Sequence, residues 1–163
     1  MRELVAVDTR SLEVVEAFLA DVAGRPLTLG RVWLSVGPVG WVVTSVSRAS
    51  AVTIGRVIFL SRKQSREFDG DAVGRLGPLL VHECVHVWQY QENGFYGFMR
   101  KYLQYYFNEL KTASSLRRSA RRAAYFAIPF EAEAYYVEAL WRDRSDSSDH
   151  PPRQPSGQLG LAS

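Results

Sequence analysis

His82-Glu83-Cys84-Val85-His86 sets two imidazoles four residues apart, with a carboxylate beside the first. On a helix, residues four apart share a face, so His82 and His86 can aim two ring nitrogens at one metal ion. Glu83 then stands where a general base would take a proton from water activated by that metal. The chain holds three histidines, and two of them fall at this spacing. The surroundings are apolar, with Leu79, Leu80 and Val81 before the motif and Val87 and Trp88 after it. Burying three polar groups there is costly without a compensating partner. Zinc is the expected partner.

A catalytic zinc site uses three protein ligands and leaves one position for water. Glu92, six residues after His86, would need the helix to turn back, and Gln89 stands where a glycine would allow that turn. A second helix offers better candidates in Ile128-Pro129-Phe130-Glu131-Ala132-Glu133-Ala134-Tyr135, where proline suits the first turn. Glu131 and Glu133 lie about 200° apart around a helix, so only one of them can face the metal. Glu131 shares its face with Tyr135 and Glu138, and Glu133 shares its own with Val137, Leu140 and Trp141. Gln89 lies one turn beyond His86 and can hydrogen-bond a ligand.

Taken together, His82-Glu83-x-x-His86-x-x-Gln89, then Gly94, an aromatic-basic stretch and Pro129-Phe130-Glu131-Ala132-Glu133-Ala134, resemble a bacterial family of zincin-type metallopeptidases. This is the domain of unknown function found near extracellular contractile injection systems, with relatives beside type VI secretion spike genes. Ala51 to Leu60 fits the short strand that precedes the metal helix in that family, so the likeness runs from about Gly30 to Leu140. The resemblance implies zinc held by His82, His86 and Glu131, with Glu83 as the catalytic base. It implies a zincin-like α+β fold, a small β-sheet beside the HExxH helix and a C-terminal helix carrying the third ligand. It implies a peptide or protein substrate, bound in extended form along an edge strand. The expected activity is hydrolysis of peptide bonds. The alternative is a non-catalytic, metal-stabilised accessory or adaptor of a secretion or contractile injection apparatus. Many related glutamate-zincins carry an acidic residue four positions after the third ligand, where this chain has Tyr135.

The elements that must position these groups follow from periodicity. Leu76, Leu79, Leu80, Val87 and Tyr90 recur at helical spacing, with Asp69 or Asp71 as caps, a start between Val73 and Pro78, and a stop at Gly94. Leu12, Val15, Leu19 and Val22 predict a first helix capped by Thr9 or Ser11 and ending near Gly24. Arg31–Leu34 and Trp41–Thr44 read as strands around a Gly-Pro turn, and Val52–Leu60 as a third. Phe95 to Leu110 carries aromatics at helical spacing, which predicts a helix packed over the site. Its tyrosines, with Tyr135 and Tyr136, are candidates to donate to a transition-state oxyanion.

At 163 residues, 47% of them hydrophobic, the chain can bury the core of one domain, expected over 1–142. Asp143 to Ser163 reads as a disordered polar tail, which takes His150 out of contention as a ligand. The single cysteine, Cys84, excludes an internal disulfide and reads as a buried apolar thiol. Met1–Val5 lacks a signal-peptide pattern, and Val32–Ser47 is too short and too broken by glycine and proline to span a membrane. A cytoplasmic protein is expected, with export by a signal-independent route left open. Arg117, Arg118, Arg121 and Arg122 make a basic cluster, but a net charge of +3 does not suggest a nucleic-acid binder. A solvated face is the better reading, and membrane contact is not expected.

Overall fold

A computed structural model describes residues 3–47, 49–112 and 128–149. The elements run β1 (Leu4–Ala6), α1 (Thr9–Ala23), β2 (Trp33–Ser35), α2 (Pro38–Ser47), β3 (Ala51–Ile54), β4 (Val57–Leu60), α3 (Arg62–Glu67), α4 (Ala72–Asn93), α5 (Phe95–Thr112) and α6 (Pro129–Asp149). The architecture is mixed α/β, with a small four-stranded sheet in the order β1-β2-β4-β3. Val5 pairs with Leu34 antiparallel, Leu34 with Ile58 parallel, and Ile58 with Thr53 antiparallel. Leu34 and Ile58 are the buried centre of the sheet, and β3 is an edge strand lying against α4.

Helix α4 is the axis of the molecule. Asp71 caps it by accepting from the Gly74 amide at 2.9 Å. Gly77 breaks the helical path just before Pro78, because proline disfavours helical backbone in the residue before it and glycine tolerates the departure. Beyond the kink, the stretch from Leu80 to Tyr90 is buried on almost every side, enclosed by β3, α1, α5 and α6. A helix with apolar residues all round is a core helix. That is why His82, Glu83 and His86 are all removed from water although they do not share one face.

Several expectations need correction. Trp41–Thr44 is helical, within α2, rather than a strand. Pro38 suits a first turn, and the Thr44 hydroxyl donates back to the Gly40 carbonyl at 2.8 Å. Gly40 lets α2 sit directly on the sheet: a Cβ there would lie 2.6 Å from the Ser35 carbonyl oxygen and 2.9 Å from that of Leu60. Packing of this kind overrides the β-propensity of valine. The expected strand Val52–Leu60 is a hairpin, β3 and β4, turned at Gly55 with φ 64°. The strand at Arg31–Leu34 begins only at Trp33. The cap of α1 is Asp8, accepting from the Ser11 amide at 2.8 Å, and Gly24 ends the helix with φ 64°.

Strand β1 carries too few residues to show a pattern and was not anticipated. The polar tail expected from Asp143 is helical as far as Asp149. Trp141 meets Phe18 edge-on at 5.0 Å, and Arg144 pairs with Asp21 on α1 at 2.9 Å, which holds this last part of α6 against α1. His150, the remainder of the tail and the arginines 117, 118, 121 and 122 lie outside the described residues.

Candidate metal centre

His82 and His86 leave α4 one turn apart and meet Glu131, which projects from the first turn of α6. The Glu131 Oε2 lies 3.5 Å from His82 Nε2 and 3.6 Å from His86 Nε2. All three side chains are buried, and their ligand atoms lie within 4.8 Å of one another. They form the one group of three such residues, among those described, that could hold a metal ion. A tetrahedral zinc with bonds of about 2.0–2.1 Å would space its ligand atoms by about 3.3–3.4 Å, so the two Nε2–Oε2 separations fit such an ion. They are long for direct hydrogen bonds. The donor set, two imidazoles and a carboxylate, is one that zinc accepts.

Each of the three groups is also held from behind. His82 Nδ1 lies 3.0 Å from Glu138 Oε2, and the other Glu138 oxygen accepts from Arg142 at 2.6 Å. His86 Nδ1 lies 2.8 Å from Gln89 Oε1. That amide is oriented because its Nε2 donates to the Phe130 carbonyl at 3.0 Å and to Glu133 Oε2 at 2.8 Å. With Nδ1–H donating in both rings, both Nε2 lone pairs face the cluster. Glu131 Oε1 accepts from the Tyr102 hydroxyl at 2.9 Å.

Charge in the cluster points the same way. Burial opposes a charged His82, but Glu131, Glu138 and Glu83 outweigh it and push the pKa up to about 9. His86 is likewise raised, against burial, by Glu131 and Glu83. A pocket of carboxylates that draws protons onto imidazoles will equally accept a cation in their place. For Glu138, burial would raise the pKa, yet His82 and Arg142 hold it below the usual carboxylate range.

Glu83 is buried, and its Oε2 accepts from the Thr53 hydroxyl of β3 at 2.7 Å. The other candidate carboxylates sort themselves out by position. Glu133 faces Gln89 rather than the cluster, and Glu92 is exposed and paired with Arg25 at 2.9 Å. Tyr135 stands edge-on to His82 with ring centroids 4.6 Å apart, while Glu138, one turn further along, takes the hydrogen bond from that ring. Cys84 faces the core, and burial pushes its thiol pKa up. Sequence reasoning did not single out Thr53 at all. It placed Glu138 on the Glu131 face without giving it a role, although a carboxylate seven residues after a ligand on the same face was the available signal.

Phe98 is the buried anchor of α5, tilted against Tyr90 at 4.0 Å and stacked on Phe130 at 4.7 Å, so the aromatic helix does pack over this site. Tyr96 and Phe107 of the same helix point outward. Among the described residues, no helix is long and apolar enough to cross a membrane. Compared with protein families, curated proteins and solved structures, the chain matches none.

Proposed function

We propose that this chain is a zincin-type metallopeptidase in which His82, His86 and Glu131 hold zinc and Glu83 is the general base. The observation that carries the reading is the convergence of two Nε2 atoms and Glu131 Oε2, each ligand being oriented by its own partner. Zinc bound there supplies a Lewis acid that makes water acidic near neutral pH and polarises a carbonyl. The residues of the chain do the rest. Glu83, steadied by the Thr53 hydroxyl, takes a proton from the attacking water at its carboxylate and delivers it to the departing amine nitrogen. The edge strand β3, which carries Thr53, lies beside α4 and offers main-chain groups to an extended peptide.

Elemental analysis of wild type beside His82→Ala and Glu131→Ala is the first test, followed by peptide-library cleavage by wild type and Glu83→Gln. One zinc per chain, lost in both ligand variants, is expected. Glu83→Gln should keep the metal and lose about 10²–10⁴-fold in cleavage rate. Zinc retained without Glu131 overturns the triad, and undiminished cleavage by Glu83→Gln overturns the base.

One observation favours a second reading, that of a metal-stabilised adaptor of a secretion or injection apparatus. His82, Glu83, His86 and Glu131 are each no more than 7% exposed, as in sites whose metal serves folding. Zinc-dependent folding without cleavage of any library peptide would decide for it.

A further inference from the structure

We infer that the Tyr102 hydroxyl holds Glu131 as a one-oxygen ligand and so keeps a coordination position open for water at the metal centre. This rests on the metal reading above. A carboxylate can offer a metal one oxygen or two, and beside two imidazoles and a water the second oxygen would be a fifth donor that crowds the position water needs. Here the two Glu131 oxygens have separate tasks. Oε2 faces both imidazole Nε2 atoms, at 3.5 and 3.6 Å, and Oε1 accepts from Tyr102 at 2.9 Å. For Oε1 to swing toward the ion, the carboxylate must give up the hydrogen bond that it accepts from the phenol.

Tyr102 is itself held in position. Its ring packs against Phe98 with centroids 5.7 Å apart, and Phe98 stacks on Phe130, the residue next to Glu131. The phenol and the carboxylate are therefore fixed by one aromatic stack joining α5 to α6. Tyr102 is a positioning residue: it acts on the metal through Glu131.

Cobalt(II) substitution reads coordination number directly, because four-coordinate cobalt absorbs visible light far more strongly than five- or six-coordinate cobalt. The comparison is wild type, Tyr102→Phe and Tyr105→Phe, each loaded with cobalt alone. Wild type and Tyr105→Phe should show the intense four-coordinate bands, and Tyr102→Phe should bind cobalt and lose them. An unchanged spectrum in a cobalt-loaded Tyr102→Phe protein overturns the inference. X-ray absorption of the zinc-loaded wild type keeps the question answerable even if the variant does not fold. One-oxygen carboxylate ligation is expected, and two-oxygen ligation refutes the role of Tyr102. Failure of the wild type to bind either metal would instead refute the metal centre itself, a result separable from the other two.

Discussion

Glu138→Ala is the substitution that most directly probes how the centre is built. Glu138 Oε2 receives the Nδ1–H of His82 at 3.0 Å, and the Glu138 side chain is only 14% exposed. Removing it leaves a buried imidazole N–H without its acceptor and frees the ring to rotate. Loss of such an outer partner typically weakens metal binding about 10–100-fold. That corresponds to about 1.4–2.8 kcal/mol. Glu138→Gln keeps an acceptor oxygen and should lose less than about tenfold. Arg142, which holds the other oxygen of Glu138, has a side chain 59% exposed, so Arg142→Ala should cost less than about 1 kcal/mol.

Competition against a chromophoric chelator at fixed pH gives Kd for all four proteins. Thermal unfolding at one zinc concentration gives an independent reading. With zinc at about 100 times the wild-type Kd, the metal stabilises the wild type by about 2.7 kcal/mol. A variant with a 100-fold weaker Kd would retain only about 0.4 kcal/mol of that at the same concentration. Zinc binding by Glu138→Ala within about twofold of wild type would refute the idea that His82 needs its carboxylate.

Two further outcomes are expected. In the metal-free protein the folded pKa of His82 is raised, from 6.5 to about 9, so its contribution to stability is fully present below pH 6.5 and is lost as pH rises through about 9. Zinc requires the neutral imidazole, so its stabilisation should grow over the same interval. Urea unfolding across that range should show stability falling with pH in chelator and staying nearly level at saturating zinc, and parallel curves would contradict the proton–metal competition. Gly40→Ala should cost about 1–3 kcal/mol because its Cβ would strike the Ser35 and Leu60 carbonyls, whereas Gly97→Ala, whose nearest neighbour would be Asn93 Cβ at 3.8 Å, should be neutral or stabilising by about 0.5–1 kcal/mol. Equal denaturation midpoints for the two variants would show that α2 is not held by that close approach.

The candidate site was legible where chemistry and helical spacing coincide. His82, Glu83 and His86 announce themselves because a helix fixes their relative positions, and Pro129 marks the start of the helix that brings Glu131 to them. What links separate elements was not legible. Nothing local to Thr53 reveals that its hydroxyl meets Glu83, thirty positions away, and nothing in the aromatic stretch singles out Tyr102 from its neighbours. The strand assigned to Trp41–Thr44 failed for a related reason. Valine and tryptophan favour strands locally, but the deciding fact, the fit of Gly40 onto two backbone carbonyls, depends on strands on either side of it in the chain. The early end given to α6 failed likewise, since polar residues after Trp141 look like a tail until their contacts with α1 are seen.

The two helices that carry the candidate ligands are distant along the chain: His82 and its hydrogen-bond partner Glu138 are 56 positions apart. In an unfolded chain, the HExxH pair alone would be a weak two-nitrogen clip, and the third oxygen arrives only once α6 has docked. An ion gripped by both helices therefore behaves as a reversible staple across a long loop, and the entropy of closing that loop is already spent by the native packing. Metal capture should be the last event of folding, and metal removal should first loosen the grip of α6 on α4 while the sheet and α1 stay assembled.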